Sequence, residues 1–305
     1  MNSIILKEGH TYSESFKLKD FPYLFLDTFK AWSKANPWRL SAVVAYYAVL
    51  SLPALLVIII NVVGSIWGVD IVEGRLTNEF SIALGPNAAE TIQDIIQDTQ
   101  NKDKNLISTI IGIATLLFGA TGVFHQLKIS LNQIWRIQGE PGFNLWKLAA
   151  ERAKSLAFIL VIGFLLLISF IVTAAITALN DYLKSLITEV AIYFAYFVDI
   201  FSSIGIITLM FALMFKFLPD AKIKWRAVWF GAFITAVLFV LGKFLLGLYF
   251  GEANPGSTYG AAGTIVLVLL WVSYSSLILF FGAQFTYVYA KAYNILFVPY
   301  SELDD

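Results

Sequence analysis

Thr121, His125, Lys128, Asn132 and Arg136 recur at three- and four-residue intervals in the stretch Gly119-Ala-Thr-Gly-Val-Phe-His-Gln-Leu-Lys-Ile-Ser-Leu-Asn-Gln-Ile-Trp-Arg136. On a helix turning about 100° per residue they fall within an arc of roughly 80°. Phe124, Leu127, Leu131 and Ile134 then point elsewhere. An imidazole, an ammonium, an amide and a guanidinium on one stripe present donors and positive charge, which suits an anionic group such as phosphate. His125, Lys128, Asn132 and Arg136 are therefore candidate anion-binding residues. A second reading stays open. At the edge of a membrane, amphipathic helices carry Lys and Arg toward lipid headgroups without any dedicated site.

Asp199 and Lys243 are charges inside long apolar runs. A charge at mid-membrane is costly, about 2.5–3.5 kcal/mol on insertion scales, so pairing is favoured. The two are expected at similar depth, as an ion pair, as the lining of a shared polar cavity, or as a relay that couples ion movement. Snorkelling of Lys243 is a further alternative. Tyr46, Asn61, Tyr259 and Gln284 are polar groups in or at the ends of apolar runs, expected to form interhelical hydrogen bonds or to line a cavity.

Enzyme chemistry is poorly served. There is no cysteine, and the two histidines, His10 and His125, lie far apart. H-x-x-x-H, G-x-S-x-G and G-x-x-x-x-G-K-[ST] motifs are absent, so no catalytic constellation, metal site or cofactor is expected. Formal net charge is zero, which gives no bulk attraction to nucleic acid.

The elements that would position these residues follow from apolar run length. The chain has 305 residues, 58% hydrophobic and 14% charged. Soluble domains are about 25% charged, so much of this surface must face an apolar medium. A span needs roughly 20 mostly apolar residues. Six runs qualify: Leu40 to Trp67, Leu106 to Phe124, Ser155 to Leu179, Ile192 to Phe215, Ala227 to Phe250 and Ala261 to Ala290. The expected class is all-α, a six-helix polytopic membrane protein. Isolated strands would leave backbone groups unpaired in lipid.

Lys and Arg concentrate before the first run, after the second and after the fourth. The alternate connections are poor in them, and this asymmetry puts both termini in the cytoplasm. The expected organisation is a cytoplasmic segment 1–39, a transmembrane domain 40–290 with an acidic outer loop 68–105, and a cytoplasmic tail 291–305. Within that loop, Asn87 and Glu90 have the form of a capping box, and Ala88, Ile92, Ile95 and Ile96 recur at helical spacing. Amphipathic helices lying on the membrane, or a lid over an outward-facing cavity, are the two readings of it. Membrane lipids are the expected partners.

Four stretches resemble the YihY/BrkB family of bacterial inner-membrane proteins, once mislabelled ribonuclease BN. They are Ser41-Ala-Val-Val-Ala-Tyr-Tyr-Ala-Val-Leu-Ser-Leu-Pro-Ala-Leu55, Ser130-Leu-Asn-Gln-Ile-Trp135, Phe217-Leu-Pro-Asp-Ala-Lys-Ile-Lys-Trp-Arg-Ala-Val-Trp-Phe-Gly-Ala232, and Tyr259-Gly-Ala-Ala-Gly through Leu-Trp271 to Gly-Ala-Gln-Phe285. They keep the family's order and spacing over residues 25 to 292. The resemblance implies a six-helix inner-membrane fold and points to envelope roles in transport or in lipid and lipopolysaccharide-precursor handling. It departs at Gln284, where family members commonly carry Glu; if that carboxylate serves coupling, this chain lacks it. The leading expectation is a transporter or lipid-handling protein for an anionic, phosphate-bearing substrate. The alternatives are a non-transporting scaffold or assembly factor, and an ion-coupled antiporter that uses Asp199.

Overall fold

The computed structural model describes residues 16–84, 89–90, 93–94, 121–137, 190–253 and 262–299. After a 3-10 turn at Leu18–Asp20, the helices are α1 (Phe21–Lys34), α2 (Pro37–Trp67), α3 (Val69–Leu84), α4 (121–134), α5 (Val190–Phe217), α6 (Trp225–Ala253) and α7 (Gly263–Ala292). Sequence chemistry sets several of the boundaries. Asn36 takes a left-handed conformation (φ 54°) between α1 and α2, and Pro37 then opens α2, where a missing N–H leaves no bond unmade. Gly68 separates α2 from α3 at φ 93°, a conformation that strongly favours glycine. Helix α5 ends at Phe217, just ahead of Leu218-Pro219, because a proline disfavours helical backbone in the residue before it.

Helix α7 is the axis of the described bundle, packing against α1, α2 and α6. Every residue from Leu279 to Ala290 is buried, so this half of the helix is covered on all sides. Small residues let α6 approach it closely. Gly231 of α6 faces Thr286 of α7, and Gly282 of α7 faces Thr235 of α6; a methyl group at either glycine would overlap the opposing threonine. Each hydroxyl donates to the carbonyl four residues back in its own helix, Thr235 to Gly231 at 2.7 Å and Thr286 to Gly282 at 2.8 Å. Both buried hydroxyls are thereby satisfied within their own helices, and the contact between helices is van der Waals packing at close backbone approach.

Two features add to the expected all-α bundle. Ala221–Ile223 (β1) pairs antiparallel with Phe297–Pro299 (β2), in the register Ala221↔Pro299, Lys222↔Val298 and Ile223↔Phe297. Alternation explains β1: Ala221 and Ile223 are buried while Lys222 is exposed. Part of the expected tail therefore returns to the bundle. The expected N-terminal segment also joins the core. Leu24 and Thr28 of α1 are fully buried, and Phe25 and Trp32 of α1 pack on Phe281. Asp20 is buried and accepts a 2.8 Å bond from the Tyr293 hydroxyl, tying the start of α1 to the end of α7.

Of the six expected spans, Ala227 to Phe250 and Ala261 to Ala290 correspond to helices long and apolar enough to cross a membrane, Trp225–Phe250 and Gly263–Ala292; Phe201–Phe217 is a shorter apolar stretch. Helix α2 covers the first expected span and α5 the fourth. Residues 106–120 of the second span, the whole of the third, and Asn87 of the capping box lie outside the described residues.

Candidate functional site

The candidate site lies at the end of the bundle where α4 stops and the α5–α6 connection begins. Leu127, Leu131, Ile134 and Trp135 are buried along one side of α4, which fixes its rotation and leaves Lys128 and Asn132 on the polar side. Trp135 anchors it. The ring is 1% exposed, its Nε1–H donates 2.8 Å to the Ala283 carbonyl of α7, and it meets Phe297 of β2 edge-on at 5.3 Å. Gly122 at the other end of described α4 lies against the Tyr47 ring of α2.

What Lys128 and Asn132 share is a carboxylate. The Asn132 amide donates to Asp220 Oδ2 at 2.9 Å, and the Lys128 ammonium lies 3.0 Å from the same oxygen. The Asp220 backbone N–H donates back to Asn132 Oδ1 at 2.9 Å. An ammonium and an amide converging on one carboxylate oxygen form a cradle that recognises an anionic oxygen through charge-assisted hydrogen bonds. The signal for Asp220 was present in the sequence, as an acidic residue straight after Leu-Pro in a connection otherwise rich in Lys and Arg. Position alone did not show that it would cross to α4.

Arg136 leaves the stripe. The helix closes one residue earlier with Arg136 in a left-handed conformation (φ 57°), Ile137 N–H bonding to the Asn132 carbonyl at 2.9 Å and Arg136 N–H to that of Gln133 at 3.1 Å. This is a Schellman closure with Arg136 at the position usually held by Gly or Asn. Its exposed side chain no longer follows the helical period that aligned it with Lys128 and Asn132. His125 stays on α4, partly buried and with an interaction of its own. Arg39 of α2 reaches the Gln133 side chain at 3.5 Å.

The remaining expected residues are dispersed. Lys243 is exposed on α6; the side chain of Asp199, on α5, lies outside the description, as does the proposed pairing. Tyr46 is exposed and meets Tyr47 edge-on at 5.6 Å. Gln284 is buried in α7. The Asn61 side chain and Tyr259 are outside the described residues. Among the described residues, no group of three or more His, Asp or Glu side chains is placed to hold a metal.

Comparison with known proteins adds the family. A UPF0761 membrane protein of Haemophilus influenzae is 22% identical over 270 residues, 88% of this chain and 94% of the relative. Another, of Idiomarina loihiensis, is 27% identical over 205 residues, 67% of this chain and 68% of its own. A third, of Mannheimia succiniciproducens, is 25% identical over 210 residues, 67% and 68% of the two chains. No solved structure matches. The family described as virulence factor BrkB matches residues 28–299, which takes in α2, the Lys128–Asn132–Asp220 cradle and the β1–β2 pair, and the chain belongs to that family of membrane proteins.

Proposed function

We propose that this chain is a six-span protein of the bacterial inner membrane, termini cytoplasmic, that binds and handles an anionic, phosphate-bearing amphiphile such as a membrane lipid or envelope precursor. The observation that supports this is the convergence of Lys128 and Asn132 on a single carboxylate oxygen, at the bundle end that also carries Lys216, Lys222, Lys224 and Arg226. By the positive-inside rule that end is cytoplasmic. Asp220 then acts as a resident anion. Its side chain is 43% exposed, which gives a displaced carboxylate access to water, while the backbone bond to Asn132 holds the connection in place. An incoming phosphate competes with that carboxylate for the same donors.

The test is native mass spectrometry from nanodiscs holding phosphatidylglycerol and phosphatidylcholine in equal amounts. Asp220→Asn keeps the shape but removes the competing charge, so it should retain more phosphatidylglycerol than wild type; Lys128→Ala should retain less. If neither variant changes retention, the cradle plays no part in ligand binding.

A scaffold is the second reading, favoured by the bond from Asp220 N–H to Asn132 Oδ1 and by the anchoring of Trp135 on Ala283. Here the same contacts brace α4 against the bundle. Asp220→Asn would then lower thermal stability and leave lipid retention as it was.

A further inference from the structure

On α6, Arg226, Trp229, Phe230 and Phe233 stand at i, i+3, i+4 and i+7, which puts all four on one stripe of the helix. With Thr208 of α5 and Tyr289 of α7 they line an open groove of about 510 Å³. That is within the range of small-molecule sites, roughly 300–1,000 Å³. Three features identify what it would hold. The walls are aromatic: Trp229 and Phe233 are 44% and 49% exposed, in a chain whose relatives are membrane proteins. The lining has one charged residue, Arg226, in the first turn of α6, where the helix dipole adds positive potential. Exposed Lys222 and Lys224 flank it, and the six lining residues include no carboxylate. Trp225 and Trp229, both partly exposed, mark the level of a membrane–water interface, where such rings accumulate.

We propose that this groove is a binding site for one anionic phospholipid of the surrounding bilayer, with the lipid phosphate on Arg226 and an acyl chain along Trp229, Phe230 and Phe233. A guanidinium suits the headgroup because its fork can engage two phosphate oxygens at once. The Thr208 hydroxyl already donates 2.7 Å to the Ile204 carbonyl, which leaves Arg226 as the charged donor of the groove. The groove lining shares no residue with the Lys128–Asn132–Asp220 cradle, and the proposal does not depend on ligand binding there.

Full-length protein in nanodiscs of equal phosphatidylglycerol and phosphatidylcholine is released for native mass spectrometry, and the ratio of the two lipids retained is read. Wild type should favour phosphatidylglycerol. Arg226→Gln should reduce that preference about tenfold, the scale of one charge-assisted hydrogen bond. Arg226→Lys should restore part of it. Trp229→Ala should reduce retention of both lipids without changing their ratio, and Lys128→Ala should leave the Arg226-dependent preference in place. All the groove positions changed here are exposed, so folding is expected to survive; thermal melting checks it, and Trp229→Ala reads the same groove independently. An unchanged ratio in Arg226→Gln, or unchanged retention in Trp229→Ala, overturns the proposal. So does loss of the lipid on adding millimolar inorganic phosphate, which would show a site for free phosphate instead.

Discussion

Asn132 and Asp220, 88 positions apart in sequence, are joined by two hydrogen bonds of 2.9 Å, amide to carboxylate in one direction and backbone N–H to amide oxygen in the other. The pair clamps the end of α4 to the connection between α5 and α6. Because one bond uses the Asp220 backbone, the side chain can change without releasing the clamp.

Asn132→Ala removes both bonds. Asp220 is 43% exposed, so water takes up much of the loss, and we expect a cost of about 1–2 kcal/mol in thermal or denaturant unfolding in detergent. Lys128→Met should cost less, up to about 1 kcal/mol for an ion pair that is only partly shielded from water, 20% exposed at Lys128 and 43% at Asp220. The difference between Lys128→Met and wild type should shrink at high salt, where screening weakens the pair. Equal stability of Asn132→Ala and wild type would show that the clamp does not hold α4.

The α6–α7 crossing should tolerate no added atoms. Gly231→Ala or Gly282→Ala drives a methyl group into the opposing threonine, and overpacking of this kind costs about 1–3 kcal/mol or more. Folded yield and melting temperature should fall for both. Gly231→Ala combined with Thr286→Gly clears the overlap and should recover most of the yield, less the cost of a glycine in a helix. Normal yield of Gly231→Ala alone would mean the helices can separate there without penalty.

Trp135 supports α4 by shape and by one bond. Trp135→Phe keeps an aromatic ring but leaves the Ala283 carbonyl without its side-chain donor, an expected loss of about 1 kcal/mol. Trp135→Ala also opens a cavity in a fully buried site and should cost about 3–5 kcal/mol. If the two variants melt together, filling this site with an aromatic ring contributes nothing.

Tyr293 predicts an alkaline transition. Burial, and then the hydrogen bond and negative charge of Asp20, push the Tyr293 hydroxyl well above the ordinary tyrosine range. The folded state therefore favours the neutral phenol. Its contribution is fully present below the unfolded value near pH 10 and is lost as pH rises from there toward the folded value. Tyr293→Phe should be less stable than wild type at neutral pH, because Asp20 loses a donor, and should lose less stability above pH 10. Parallel pH–stability curves for the two proteins would argue against the assignment.

Much of this protein was legible in its sequence. Hydropathy gave the helical class and the positions of α2, α5, α6 and α7, because a bilayer admits long apolar segments only as structures that satisfy their own backbone bonds. The alternation of Leu127, Leu131 and Ile134 with Lys128 and Asn132 gave the polar side of α4, because helical period is a local property. The closure at Arg136 was harder to see, since its left-handed position is usually signalled by glycine or asparagine. What only the tertiary structure decided was partnership. Nothing local joins Asn132 to Asp220, Trp135 to Ala283, Asp20 to Tyr293 or β1 to β2; each pair is far apart in the chain and meets only when the helices dock. The groove at Arg226 has the same origin. In sequence this arginine was a topology signal, and it became part of a candidate site because α5, α6 and α7 pack so that an aromatic stripe stays open beside it.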